Sequence, residues 1–140
     1  MGLAYLNSIT NVPYSIQKLK GTTDLRGLPL AIYYIGIIYF YYIGMPKLLS
    51  VKPSHLPEKK YDATFVSEGR KKVVPFGAKG MDDFTKTHDK EQRDRYRQRH
   101  AKDLKTNDPT KPGYLSYYLL WGASPSLRAN LATYKNRFNL

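Results

Sequence analysis

The sequence predicts an α+β protein in three parts: a single N-terminal transmembrane helix, an extended Pro-rich linker, and a small C-terminal domain of a β-hairpin plus about three short helices. Three observations predict it. Residues 27–46 form a run of twenty without a charge, Pro46, Pro53 and Pro57 punctuate the stretch up to residue 60, and beyond it the apolar pattern changes from alternation to helical spacing.

Composition sets the limits. A chain of 140 residues has room for one small domain with accessory segments. Lys and Arg number 23 against 11 Asp and Glu, a net charge of +12. Cysteine is absent, which excludes disulfide scaffolds, zinc–cysteine sites, iron–sulfur clusters and thiol nucleophiles.

Residues 1–26 read as a polar leader. The run 27–46, GLPLAIYYIGIIYFYYIGMP, reads as the span, because twenty helical residues reach about 30 Å, the thickness of a bilayer's hydrocarbon. Ile32, Ile35, Ile37, Ile38, Phe40 and Ile43 supply its apolar surface, with Tyr33, Tyr34, Tyr41 and Tyr42 towards the ends, where phenols suit the headgroups. The competing reading is a buried element of a soluble protein, since Ile and Tyr also favour strands. Neither a cleavable signal peptide nor N-myristoylation is expected: the apolar run starts late, and Leu6 stands where Ser or Thr is wanted. The lysines after the run place the C-terminal part on the cytoplasmic side.

Residues 47–60 read as a Pro/Lys-rich spacer, and residues 61–140 as the small basic α+β domain. Tyr61, Ala63 and Phe65 alternate with Asp62, Thr64 and Val66. Glu68-Gly69 makes a turn and Lys71–Phe76 returns, with Pro75 best suited to an edge. Asp82, Asp83 or Asp89 caps a helix running to Leu104, with Asp89–Arg93 and Glu91–Arg95 pairs along it. Tyr114–Trp121 is a second helical stretch closed by Gly122. Ser124-Pro125 opens a third helix, on which Leu127, Leu131, Tyr134 and Phe138 recur at four, three and four residues. Phe65, Phe76, Phe84, Leu115, Leu119, Trp121, Leu127, Leu131 and Phe138 are the expected core.

No phosphate-binding glycine loop and no H-E-x-x-H is present, and His55, His88 and His100 stand apart in sequence, so neither catalysis, nor a metal, nor any cofactor is expected. Arg93, Arg95, Arg97 and Arg99 suit phosphates or acidic protein surfaces. The interleaved Asp89, Glu91, Asp94 and Asp103 favour protein over nucleic acid. Tyr117, Tyr118, Trp121 and Tyr134 are candidate anchors for a partner unless the core takes them.

Phe76-Gly77, Asp83-Phe84-Thr85, the stretch His88 through His100, and Leu115 through Trp121 come in a familiar order. Over about residues 61–138 the chain resembles short basic proteins of unassigned function from large nucleocytoplasmic double-stranded DNA viruses. The resemblance brings no catalytic residues. It implies a minor capsid protein of an icosahedral virion, with major and minor capsid proteins and the internal viral lipid membrane as partners. Such a protein would be anchored by residues 27–46 and placed between shell and membrane, its C-terminal domain towards the capsid. The alternatives are a virion-associated nucleic-acid-binding or packaging protein, and an accessory subunit of an organelle membrane complex.

Overall fold

The structure, a computed structural model, describes residues 21–23 and 26–140; the predicted leader lies almost wholly outside them. The chain divides into two compact units, 1–44 and 45–140.

In the first unit the uncharged run does not become a membrane span. Helix α1, Leu30–Gly44, has 15 residues and a length of about 22 Å, short of the roughly 30 Å of a bilayer's hydrocarbon. Among the described residues no helix is long and apolar enough to cross a membrane, which corrects both the predicted span over 27–46 and the predicted single-pass location. The physical reason lies at the ends of the run. Gly27 takes a left-handed conformation at φ 78°, Pro29 pairs with Thr23 in an isolated bridge, and the Leu30 amide donates to the Thr22 carbonyl at 3.0 Å. These interactions commit 27–29 to a turn. At the other end, Met45-Pro46 leads straight into a strand. Ile32, Ile35 and Ile37 are exposed and Ile38 is half-buried; the side chains of Phe40 and Ile43 lie outside the description.

The second unit is an antiparallel three-stranded sheet in the order β1-β2-β3, followed by helices. Strand β1, Lys47–Pro53, occupies the first half of the expected linker 47–60, and β2 begins within its last two residues. Proline is tolerated there because β1 is an edge strand and Pro53 is its last residue. Strands β2, Lys59–Ser67, and β3, Arg70–Ala78, form a hairpin in which Ser67 pairs with Arg70 across the two-residue turn. Glu68 and Gly69 both have positive φ (51° and 73°), the geometry that matches strand twist in a tight hairpin.

Helix α2, Phe84–Thr87, is a single turn. His88 adopts φ 57° and closes it, and Asp89 caps a separate helix, α3, Lys90–His100. The one helix expected to reach Leu104 is thus two, with a 3₁₀ segment, Ala101–Thr106, completing the stretch. Helix α4, Pro112–Leu115, continues through a π turn, Ser116–Leu120, and α5, Leu127–Phe138, comes last. The α5 cap is Ser126, whose hydroxyl accepts from the Ala129 amide at 3.3 Å, rather than Ser124. The core gathers Leu48, Ala63, Phe65, Val74 and Phe76 from the sheet with Phe84, Leu115, Leu119, Leu120, Trp121 and Tyr134 from the helices. Leu127, Leu131 and Phe138 pack at its margin.

Candidate functional site

Helix α3 carries an arginine at every second position from 93 to 99. At 3.6 residues per turn these cannot share a face: Arg93 and Arg97 lie together, and Arg95 and Arg99 lie together on another side. The inner pair stacks on aromatics. The Arg93 guanidinium sits 4.9 Å from the centre of the Phe84 ring. It also donates to Asp94 at 2.9 Å and to the Ala123 carbonyl at 3.4 Å. The expected Asp89–Arg93 pair does not form, because Asp89 accepts from the Gln92 amide at 3.0 Å as the helix cap. Arg97 lies 4.6 Å from the centre of the Tyr117 ring. Arg95 is exposed, with Glu91 3.8 Å away, and Arg99 is exposed.

Several residues of the motifs Phe76-Gly77, Asp83-Phe84-Thr85, His88–His100 and Leu115–Trp121 build the fold. Phe76 is completely buried. Gly77 has φ 74°, and a β-carbon there would stand 2.8 Å from Leu120 Cδ1. Asp83 caps α2 by accepting from the Thr85 amide at 2.9 Å, and its other oxygen takes the Lys60 ammonium in a nearly buried ion pair. Tyr96 is stacked between His100, at 4.1 Å, and Trp121, at 4.4 Å. Burial and the nearby Asp103 raise its hydroxyl pKa, against a hydrogen bond with Ser116 that lowers it. His100 in turn meets Asp103 at 2.9 Å.

The predicted aromatic anchors divide in the same way. Trp121 and Tyr134 are core residues. The Tyr134 hydroxyl donates to the Pro109 carbonyl, and burial, with the fields of Tyr114, Tyr118 and Asp108, pushes its pKa well up, so it stays a donor. Tyr117 and Tyr118 are half-buried and carry arginines on their faces. The second of these arginines, Arg137, is one that sequence reasoning missed. Its guanidinium lies 5.2 Å from the Tyr118 ring centre and 5.8 Å from that of Phe138. The available signal was its place on α5 between Tyr134 and Phe138, one turn along the aromatic face.

Two cavities adjoin these groups. One of about 470 Å³ is lined by Lys60, Asp83, Gln92, Tyr96, Arg99 and Trp121, and there Lys60 and Asp83 satisfy each other. The other, of about 250 Å³, is lined by Arg97, Arg137, Tyr118, Ser124 and Thr133, and no carboxylate lines it. Among the described residues no group of three or more His, Asp or Glu is placed to hold a metal ion. The arrangement offers anion recognition by guanidinium groups that aromatic rings hold in place.

A model of a family of unknown function, DUF5754, matches residues 49–100, which run from β1 to the end of α3. No curated protein and no solved structure matches the chain. The similarity to that family therefore includes the sheet from Leu49 onward, the Asp83 and Asp89 caps and the four α3 arginines, and stops before Arg137.

Proposed function

We propose that this protein is a non-catalytic structural component of the virion of a large icosahedral DNA virus, a minor capsid protein that docks acidic shell proteins on its basic helical face. The viral setting comes from the resemblance over residues 61–138. The docking role is supported by one observation above all. Arg97 and Arg137 rest on tyrosine rings with no carboxylate partner among the described residues, and Arg95 and Arg99 stand exposed on the same helix as Arg97. Guanidinium groups in that state are pre-oriented donors, so less side-chain entropy is lost when a partner's carboxylates arrive. Attachment in this reading rests on protein contacts.

Particles stripped with non-ionic detergent test the reading. The protein stays with the shell after detergent and is released by about 1 M salt, which screens exposed charge. Its loss with the lipid, or its absence from purified particles, overturns the proposal. A second reading, nucleic-acid packaging, draws on Arg70, Lys71 and Lys72, three consecutive exposed cations at the start of β3. Release by nuclease instead of salt favours that role.

A further inference from the structure

The docking role says nothing of where a partner's charge is read. We propose that the cavity between α3, the π turn and α5 is a pocket for one carboxylate side chain of an acidic peptide segment, held between Arg97 and Arg137; this rests on the docking role proposed above.

The pocket is built from well-fixed parts. Asn130, 5 % exposed, donates to the Leu119 carbonyl at 3.0 Å and the Ser124 carbonyl at 2.7 Å, and accepts from the Ser124 amide at 3.0 Å. It thereby pins residues 122–124 against the π turn. Gly122 permits this approach, because a β-carbon there would lie 2.3 Å from the Tyr118 carbonyl oxygen. Across that floor stand the two guanidinium groups, Arg97 over Tyr117 and Arg137 over Tyr118, at 4.6 and 5.2 Å. Thr133 and Ser124 complete the polar lining. The Thr133 hydroxyl donates to the Ala129 carbonyl at 3.1 Å, and the Ser124 hydroxyl accepts from the Ser126 amide at 3.0 Å, so the Thr133 proton is committed and the arginines are the principal donors.

Two features favour a peptide carboxylate over a nucleic-acid backbone. The cavity, about 250 Å³, suits a single side chain, whereas a phosphate backbone is tracked by a stripe of cations. On α3 that stripe is interrupted by Asp94, 65 % exposed, and Glu91, 89 % exposed. The planar fork of each guanidinium takes both oxygens of a carboxylate, and an ammonium does not reproduce it.

The test is fluorescence anisotropy of the full chain with labelled hexaglutamate and, in parallel, labelled dodecathymidylate. R97Q and R137Q are each expected to weaken hexaglutamate binding about tenfold, and R97K nearly as much, while R95Q costs less than about threefold. Ser124→Glu, which leaves both arginines intact and places a carboxylate at the rim, is expected to abolish peptide binding while the near-ultraviolet circular dichroism is unchanged. Equal losses for R95Q, R97Q and R137Q, or full binding by S124E, overturn the pocket but leave a diffuse acidic-docking surface standing. Dodecathymidylate binding that falls with R97Q and R137Q while hexaglutamate binding does not assigns the pocket to phosphate and overturns the carboxylate assignment. Failure of the unaltered chain to bind hexaglutamate overturns the docking role itself.

Discussion

A β-carbon at Gly122 would also stand 2.6 Å from Asn130 Cγ and 2.7 Å from Asn130 Oδ1, besides meeting the Tyr118 carbonyl. Its φ is not positive, so the requirement for glycine is one of space, not of backbone conformation. In the sequence Gly122 looks like an ordinary helix terminator; nothing local to it announces a side chain eight residues onward pressing against it. Gly122→Ala is expected to displace Asn130, break its hydrogen bonds to 119 and 124, and cost about 2–4 kcal/mol, measured by thermal or urea unfolding. A cost below about 0.5 kcal/mol refutes the steric account. The arginines carry the same lesson. Four of them were visible at once, but their division was not, because Arg97 meets Tyr117 twenty residues away in sequence and Arg137 meets Tyr118 nineteen away. Local spacing reports neither stack.

At the scale of elements, the hairpin was legible because Tyr61, Ala63 and Phe65 alternate cleanly and Glu68-Gly69 is a strong turn. Strand β1 was not. Its register shifts between Leu48 and Ser50, so the residues it turns to the core, Leu48 and Val51, are three apart instead of two, which breaks the alternation that marks a strand. The break between α2 and α3 was hidden for a different reason: Asp83 and Asp89 both suit a cap, and both are caps. The connection from β1 to β2 is closed by Asp62, which accepts from the Ser54 hydroxyl at 2.6 Å and the His55 amide at 3.0 Å and also meets the His55 ring. Burial pushes the Asp62 carboxyl up, but the hydrogen bonds from His55 and Ser54 outweigh it and hold its pKa at about 2. The folded value lies below the unfolded one of about 3.9. The stabilisation is therefore fully present above about pH 4 and is lost as pH falls through about 2. Asp62→Asn is expected to flatten the loss of stability over that window, read from urea midpoints at successive pH values. Parallel curves for the two proteins contradict the assignment.

At the scale of the whole chain, the sequence points to one uncharged run as the organising feature, and the structure moves that weight to residues 45–140. A run of twenty uncharged residues met the length rule for a span, yet helix formation is limited by backbone commitments that hydropathy does not register: the Thr23–Pro29 bridge and Pro46 leave α1 at 15 residues. Among the described residues the core, from Leu48 to Tyr134, lies in the second unit and includes the β1 residue Leu48, from the stretch that reads in the sequence as a linker. A hydrophobic core that closes within one segment is the requirement for independent folding. The fragment 45–140 is therefore expected to unfold in a single cooperative transition. The lone tryptophan, Trp121, 6 % exposed and stacked on Tyr96, reports it directly through a red shift of its emission on unfolding. A fragment that starts instead at residue 54, without β1, exposes the β2 edge and uncovers Phe65, the residue paired with Leu48. It is expected to lose about 2–4 kcal/mol or more, the range for removing a well-buried leucine, before the strand's hydrogen bonds are counted. If 54–140 unfolds at the same midpoint as 45–140, β1 is an ornament and the stretch reverts to a linker; if 45–140 has no cooperative transition, residues 1–44 belong to the folding unit.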